Sequence, residues 1–194
     1  MRQVGFKDRF GFTFTLLETP RLVLRRFDDQ VLAHIMNNYS DSEIKDFFGI
    51  TSDEQLNYHK SWNEKGCTTF NKSILFFHLL EPDSNRCIGW CGYHTWYVDH
   101  DRAELGYVMN SENDMGKGLM SEALESVIEY GFNEMDLHRI EAMAAPDNKG
   151  SLRLLEKNRF TFEGVLREHY KVKGRNEDSN IYSLLRSDAE SATQ

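Results

Sequence analysis

A glycine-rich loop is the part of this chain whose residue types and spacing are best suited to chemistry. A predicted strand over 103–110 leads through a short loop into Gly116-Lys117-Gly118, and an amphipathic helix follows. Glycines let the backbone approach a ligand closely, and the first turn of a helix presents free N–H groups at the positive end of its dipole. The pattern predicts an anion-binding loop suited to a pyrophosphate, with an ordinary tight turn as the alternative.

This loop matches neither of the two commonest phosphate-binding motifs. A Walker loop would need Lys followed by Ser or Thr after its second glycine, whereas Leu119 and Met120 follow Gly118. A dinucleotide-binding fold would need a third glycine and an acidic residue about 20 residues further on. The loop alone is therefore a weak signal, and its interpretation depends on the elements around it.

The segments around the loop predict one α/β domain over residues 15–186. The front half predicts a strand over 21–26, a helix that begins after Asp28, a polar helical region over 40–66, and strands over 73–80, 87–97 and 103–110. The back half predicts a helix over 117–133, a strand over 138–145, a helix over 149–158, and strands over 160–168 and 179–185. Residues 1–14 are expected to form a loosely held leader, and residues 187–194 a flexible tail.

Charge and cysteine content exclude several classes of protein. The chain has 194 residues, with 23 Lys and Arg against 31 Asp and Glu, which gives a net charge of −8. Binding to nucleic acid is not expected, because it needs a basic face that neutralises phosphates. Association with a membrane is not expected either, since no apolar run approaches the ~20 residues of a span. The N-terminus lacks a cleavable apolar segment, and the odd number of cysteines (Cys67, Cys87 and Cys91) favours a reduced, cytoplasmic protein.

One predicted strand carries residues that could suggest a metal site. Cys87 and Cys91 lie four residues apart on it, and His78 or His94 could lie nearby. A zinc site would want four ligands at tighter spacing, so buried free thiols without a metal are expected. The same strand carries an aromatic group that predicts either a substrate groove or a half-buried sheet surface: Trp90, Tyr93, Trp96 and Tyr97.

Five segments, in order and at fitting spacings, resemble the GNAT superfamily of acetyl-CoA-dependent N-acetyltransferases. Residues 15–185 look most similar to its RimJ/RimL group, which acetylates the N-termini of ribosomal proteins. The segments are Thr19 to Arg25, Ala103 to Tyr107 with Gly116 to Ala123, Arg139 to Ala142, Asn148 to Ser151, and Asn158 to Gly164. The resemblance implies an α/β, GNAT-like fold: a central mixed, mostly antiparallel sheet of six to seven strands, with flanking helices and a splayed cofactor cleft.

The resemblance also implies which residues bind acetyl-CoA as a co-substrate. The pantetheine arm would pair with the backbone of Val108, Met109 and Asn110, and Asn148 would hydrogen-bond it. Ser151 would lie near the thioester sulfur. The pyrophosphate would be held by the backbone N–H groups of the loop and first helical turn: Met115, Gly116, Lys117, Gly118, Leu119 and Met120.

Glu104, Glu141 and Ser151 are the candidate catalytic residues. An amine must lose a proton to attack the thioester, and the leaving thiolate must gain one. Glu104 shares a strand face with Gly106 and Val108, and it matches the position from which many members of the superfamily draw a base. It is expected to act through a water, with an ion pair to an arginine as the alternative. Glu141 is the second candidate base, with a structural role as its alternative.

Three further positions affect the chemistry. Leu155 stands where many members of the superfamily have a tyrosine that protonates the thiolate, which assigns that role to Ser151 unless Ser151 only caps its helix. Arg159 stands where much of the superfamily has glycine, which predicts a different turn. Asp178 is a candidate contact to the substrate, with a turn-forming aspartate as the alternative.

The expected reaction moves an acetyl group directly from acetyl-CoA to an amine, without an acyl-enzyme. A protein N-terminal α-amine is the first choice of acceptor, since the RimJ/RimL resemblance and the acidic net charge agree. A small amine, such as a polyamine, an amino sugar or an aminoglycoside, is the alternative, and a non-catalytic acetyl-CoA-binding module is a third. Residues 28–66 and the loop around 168–178 are expected to form the acceptor site, and the chain to form a homodimer. A narrow pocket would favour the small amine, and an open groove a peptide.

Overall fold

The computed structural model describes residues 2–66, 68 and 73–190, so Cys67 lies outside the described residues. The strands are β1 (Arg2–Lys7), β2 (Thr13–Glu18), β3 (Val23–Phe27), β4 (Ser73–Leu80), β5 (Cys87–Tyr97), β6 (Arg102–Met109), β7 (Arg139–Ala144), β8 (Thr161–Val172) and β9 (Arg175–Leu185). The helices are α1 (Asp29–Asn38), α2 (Asp41–Phe48), α3 (Asp53–Lys65), α4 (Leu119–Asn133), α5 (Lys149–Lys157) and α6 (Arg186–Glu190).

The strands form one open sheet in the order β1-β2-β3-β4-β5-β6-β7-β9-β8. Every neighbouring pair is antiparallel except β6 and β7. The α/β class and the mixed, mostly antiparallel sheet are therefore confirmed. The sheet has nine strands where six to seven are expected, because the N-terminal segment contributes β1 and β2.

The structure of the N-terminal segment differs from the sequence prediction. Instead of a loose leader, residues 2–7 pair in register with residues 13–18. The Asp8 carboxylate holds the turn by accepting hydrogen bonds from the Phe10 and Phe12 N–H groups, each at 2.9 Å. Nearly all of β1 is exposed to solvent. It therefore lacks the alternation of apolar and polar residues by which a half-buried strand is identified.

Asp8 also fastens this hairpin to the helical layer. Its second carboxylate oxygen lies 2.6 Å from His34 Nε2 on α1 and accepts a hydrogen bond from the Tyr39 hydroxyl at 2.9 Å. Burial alone would raise the pKa of the Asp8 carboxyl, but these hydrogen bonds and those from the backbone lower it to about 2. The Asp8 carboxylate therefore stays charged over the whole physiological pH range.

The polar region over 40–66 is helical as predicted, and it consists of two helices, α2 and α3. Gly49 ends α2 with φ 66°, and a side chain there would meet the Cys87 carbonyl oxygen. Ser40 and Ser52 cap α2 and α3, and each pairs with the residue three positions later in a capping box. The two caps and the left-handed glycine turn the chain, so that both helices cover the same face of the sheet.

Two apolar cores lie on opposite faces of the sheet. Alternation along β4 sends Phe77 toward α4, where its ring meets Tyr130 at 5.0 Å, and sends Phe76 into the core under α1, α2 and α3. The Tyr93 hydroxyl, fully buried in the first core, donates to the Val127 carbonyl of α4 at 2.9 Å. The central strands β4 and β5 are thus covered on both sides.

Strands β6 and β7 separate halfway along their length. Their parallel pairing runs from Arg102↔Arg139 to Leu105↔Ala142. Beyond that point β6 continues to Met109 beside β5, and β7 continues to Ala144 beside β9. A wedge-shaped gap therefore opens between the two strands, which confirms the splayed sheet.

Arg159, just after α5, has a backbone conformation that favours glycine. Its backbone is left-handed, with φ 63°. For a residue with a side chain, this conformation costs about 1–2 kcal/mol. Glycine would avoid that cost, but it would increase the conformational entropy of the unfolded chain, which costs only about 0.4–1 kcal/mol. We therefore expect Arg159→Gly to raise the free energy of unfolding in urea by about 0.5–1 kcal/mol. Glu156→Gly, at an exposed position of the same helix, is the control and should lower it by a similar amount. A loss of stability in Arg159→Gly would contradict this account.

Only part of the predicted flexible tail, residues 187–194, lies within the described residues. Residues 187–190 continue α6 instead of fraying, and 191–194 lie outside the described residues. Within the described ranges, no helix combines the length and the apolar character that crossing a bilayer requires. Cys87 and Cys91 are buried free thiols, and the described residues contain no group of three or more His, Cys, Asp or Glu placed to hold a metal ion.

Candidate active site

A cleft of about 560 Å³ lies at the gap between β6 and β7. The end of β6, the loop before α4 and the start of α5 form its walls. Its lining includes most of the predicted cofactor-binding residues: Val108, Met109, Met115, Gly116, Gly118, Leu119, Met120, Asn148 and Ser151. The structure therefore brings together, in one cavity, segments that are more than 40 positions apart in the chain.

The loop before α4 presents its backbone to this cleft. Gly116 and Gly118 have φ of 72° and 76°, a conformation that side-chain-bearing residues rarely adopt. Gly118 is the N-cap of α4, and no side chain caps the helix there. The N–H groups of Leu119 and Met120 in the first turn are thus open to an anion, as the sequence predicts.

Charged side chains hold the loop in place. Asp114 is 5% exposed and receives two hydrogen bonds from the Arg86 guanidinium, both at 3.0 Å, which lower the pKa of its carboxyl. Lys117 is exposed, with its Nζ 3.7 Å from Asp114. Arg21 donates to the Lys117 carbonyl at 2.9 Å and pairs with Glu122 at 2.7 Å. Arg21 lies just before β3 and not in a strand, and its role beside the loop has no local signal in the sequence.

The edge of β6 offers backbone groups to an extended ligand. The Asn110 N–H donates to the Ile88 carbonyl at 2.8 Å, toward β5. Because peptide groups alternate along a strand, the Met109 N–H points the other way, into the gap. The Asn110 N–H is therefore not available to pair with a pantetheine arm, contrary to the prediction for this residue. Its side-chain amide is engaged too, with three carbonyls at 3.2 Å, including that of Phe48.

Asn148 and Ser151 have different roles at the start of α5. Asn148 is the N-cap, and its Oδ1 accepts a hydrogen bond from the Ser151 N–H at 3.1 Å. The Ser151 hydroxyl is therefore not the helix cap. It lies beside Tyr107 of β6, whose phenol has its pKa raised by burial, an effect that a side-chain hydrogen bond with Ser151 partly offsets.

Tyr107 is a functional candidate that the sequence analysis missed. It lines the cleft together with Ser151 and stays protonated at neutral pH, so it can donate a proton or a hydrogen bond. Leu155, at the position where the resemblance implies a tyrosine, is completely buried in the core. The signal for Tyr107 was the alternation of β6, which places it on the face opposite Glu104.

Glu104 lies on the other face of β6, toward α1, α2 and α3. Its side chain is 16% exposed, with Oε1 3.4 Å from His94 Nε2 of β5. Gly106 follows on the same face, and a Cβ there would lie 2.6 Å from the His94 ring and 3.2 Å from Trp90. Only glycine leaves room for these two rings, so the surface beside Glu104 is flat and aromatic.

Glu141 and Asp178 are occupied by contacts within the protein. Glu141 sits opposite Glu104 in register, but both of its oxygens accept hydrogen bonds at 2.8 Å, from Arg102 and Arg139. The Asp178 carboxylate accepts from the Glu168 N–H at 2.8 Å and stabilises an irregularity in β8. These contacts favour the structural alternatives for both residues.

The loop before α4 provides a direct test of cofactor binding. Glutamate at position 118 would strain the left-handed backbone and bring a negative charge to the anion-binding loop. We expect Gly118→Glu to raise the Kd for acetyl-CoA, measured by calorimetry, about tenfold or more, or ~1.4 kcal/mol. Gly174→Glu, a left-handed glycine in the β8–β9 turn, is the control and should leave the Kd unchanged. Equal affinity of folded Gly118→Glu would show that the anion binds elsewhere.

The sheet splays beside an uncapped helix N-terminus, and a carboxylate lies on the opposite strand face. A family model described as acetyltransferase (GNAT) domain matches residues 21–161 of the chain. The chain belongs to this family of N-acetyltransferases, whose members use acetyl-CoA.

Relatives over the whole domain agree with this assignment. The chain is 33% identical over 174 residues to the uncharacterized N-acetyltransferase YoaA of Bacillus subtilis, covering 89% of this chain and 98% of the relative. It is 30% identical over 179 residues to the ribosomal protein uS5-alanine N-acetyltransferase of Escherichia coli, covering 89% and 91%. Its fold matches the spermidine/spermine N-acetyltransferase SpeG of Vibrio cholerae with a TM-score of 0.68 at 21% identity, covering 91% and 100%.

Proposed function

We propose that this protein transfers the acetyl group of acetyl-CoA directly to a primary amine. The observation that carries the proposal is the arrangement around β6. The cofactor cleft opens on one side of the strand, and Glu104 lies on the face turned toward α1, α2 and α3. An amine approaching from that face would meet the thioester where β6 and β7 separate.

Glu104 acts as the general base, through a water, and His94 holds its carboxylate in place. The amine nitrogen forms a bond to the acetyl carbon while the carbon–sulfur bond breaks, and the proton lost by the amine passes to Glu104. On the other face, Tyr107 and Ser151 donate to the sulfur as negative charge develops there. Glu141 keeps a structural role between its two arginines.

An α-amine at a protein N-terminus is the proposed acceptor. Support comes from the relative that acts on the alanine of ribosomal protein uS5, because it matches over nine-tenths of its own length. Helices α1, α2 and α3 border the Glu104 face on one side. Burial raises the pKa of the Tyr170 phenol on β8, and the nearby charge of Glu104 raises it further. This proximity supports an acceptor site between the two predicted regions.

A free small amine is the second candidate. A cavity on the acceptor face, lined by residues of α2, α3 and β6, has a volume of about 280 Å³, which holds one side chain or a small molecule but not several residues. The third alternative, a module that binds acetyl-CoA without turnover, is opposed by the presence of both a base and proton donors.

Release of free CoA thiol during incubation with acetyl-CoA tests the proposal. The amines compared should be peptides that begin with different residues, a polyamine and an aminoglycoside. We expect turnover with at least one primary amine and none when the α-amine of the same peptide is blocked. Tight binding of acetyl-CoA without thiol release from any amine would favour the non-catalytic module.

We also propose a cytoplasmic protein that forms a homodimer. The buried free thiols Cys87 and Cys91 support a reducing compartment. Sedimentation of the purified chain tests the dimer, since a monomer at micromolar concentration would contradict it.

A further inference from the structure

An aromatic pocket lies between the sheet and helices α2 and α3. We use this name for the cavity of about 280 Å³ whose walls include Phe48, Tyr58, Trp62, Phe76, Trp90 and Val108. The rings belong to four different elements and are held by one another, for example Phe76 against Trp90 at 4.9 Å. Apolar cavities of about 150 Å³ bind benzene, so this one has room for an aromatic ring with its linker.

The aromatic pocket is continuous with the reaction site. Val108 lines both this pocket and the cofactor cleft. Trp90 reaches from the pocket to Gly106, where the His94 that contacts Glu104 also lies. A molecule seated among the rings would therefore extend its amine along β6, toward Glu104 and the gap between the strands.

The aromatic pocket carries no negative charge to attract a polycation. Of the described residues that line it, none is Asp or Glu. Its two imidazoles are neutral at pH 7, since burial lowers the pKa of His59 to about 4 and that of His78 well below its usual value. The Nδ1 atom of His59 is buried without a hydrogen-bond partner, which also favours the neutral imidazole.

A positive charge lies directly behind the pocket wall. The Arg25 Nη2 atom is 3.0 Å from His78 Nδ1, and its guanidinium lies over the Phe47 ring at 3.4 Å. Burial lowers the pKa of Arg25 to about 10, which leaves it charged at neutral pH. The rings attract an ammonium group by about 0.5–2 kcal/mol through cation–π contacts. Repulsion from Arg25 and the lost hydration of an unpaired buried charge cost more than this, so a second ammonium group is disfavoured there.

We propose that the aromatic pocket binds an uncharged apolar group of the acceptor, of the size of one aromatic or branched aliphatic side chain, and that it discriminates against polyamines. This inference rests on the proposed acetyl transfer to an amine and names the class of that amine. For a protein acceptor, the apolar group is the side chain of the first residue. For a small acceptor, it is the body of an aralkylamine.

The first test compares amines on the wild-type protein and on one pocket variant. We expect kcat/KM for 2-phenylethylamine and for a Phe-initiated peptide to exceed that for spermidine about tenfold or more. Trp62→Ala should remove most of this preference and leave the KM for acetyl-CoA unchanged. Phe162→Ala, a half-exposed aromatic position on β8 outside the pocket, is the matched control and should keep the preference.

A second variant guards against loss of folding in Trp62→Ala. Gln55 lines the pocket and completes the capping box of α3, a position where glutamate is equally suitable. Gln55→Glu therefore keeps the helix cap and adds a carboxylate to the pocket wall. We expect it to raise the ratio of kcat/KM for spermidine to that for 2-phenylethylamine at least fivefold.

Calorimetric binding of the two amines, in the presence of CoA, separates this inference from the proposed function. If 2-phenylethylamine binds more tightly than spermidine but neither is acetylated, the aromatic pocket stands and acetyl transfer to amines fails. If acetylation occurs but spermidine is bound or used as well as 2-phenylethylamine, the inference is overturned. An unchanged ratio in folded Gln55→Glu overturns it as well.

Discussion

Glu104→Gln is expected to lower kcat for the acetylation of a peptide α-amine by about 100- to 10,000-fold at pH 7, the usual contribution of a general base. The glutamine amide has the shape of the carboxylate but cannot accept the proton that the amine loses. The Glu104 side chain is mostly buried and touches His94, so the substitution leaves the surface of the site in place. Steady-state kinetics with saturating acetyl-CoA measure the effect.

The pH dependence of this variant distinguishes a base from a positioning residue. An α-amine has a pKa of about 8, so above that value most of the acceptor is neutral without help. We expect the deficit of Glu104→Gln to shrink as the pH rises from 7 to 9. Glu141→Gln is the matched control, which should lower stability, because two arginines lose a charged partner, while kcat stays near wild type. The opposite pattern would make Glu141 the base.

The double variant Tyr107→Phe/Ser151→Ala is expected to lower kcat by about 10- to 100-fold and leave the Kd for acetyl-CoA nearly unchanged. Both side chains donate to the sulfur only as charge develops on it. A thiolate is a stable leaving group, and water can partly replace the donors, so the effect is smaller than that of a lost base. Single-turnover kinetics measure it free of product release.

The single variants show whether the two donors act together. If Tyr107 acts through Ser151, Tyr107→Phe and Ser151→Ala should each cost nearly as much as the double variant. If each donates separately, their effects should multiply. Ser151→Thr keeps a hydroxyl and serves as the control, with kcat expected near wild type. A double variant with wild-type kcat would mean that solvent alone protonates the thiolate.

The order of elements and the cofactor loop could be predicted from local signals. Apolar periodicity gives β4 through β9 and α4 and α5 within a few residues, and Gly116 and Gly118 have the left-handed backbone that a close approach to a phosphate needs. Asp28 caps α1 as expected, with its carboxylate 3.0 Å from the Val31 N–H. These features depend on neighbours in the sequence, which is why one sequence is enough to find them.

The parts that could not be predicted depend on contacts between distant segments. The hairpin of β1 and β2 is held by Asp8 against α1, and nothing in its own pattern shows this. Whether Glu104 or Glu141 is free depends on the partners of Arg102 and Arg139, which only the strand register decides. Tyr107 and Ser151 meet through space although they are more than 40 positions apart in the sequence, and the rings of the aromatic pocket come from four different elements.

The strand order has a consequence for how the cleft arises as the chain is made. Strands β1 to β6 lie side by side in the order in which they leave the ribosome, so each can join a neighbour that is already present. The start of α5, which forms the far wall of the cleft, is synthesised only afterwards, together with β7. We therefore expect a nascent chain that ends before β7 to be unable to bind acetyl-CoA. The capacity for catalysis arises late in synthesis, when the last third of the chain docks onto a front half that has already folded.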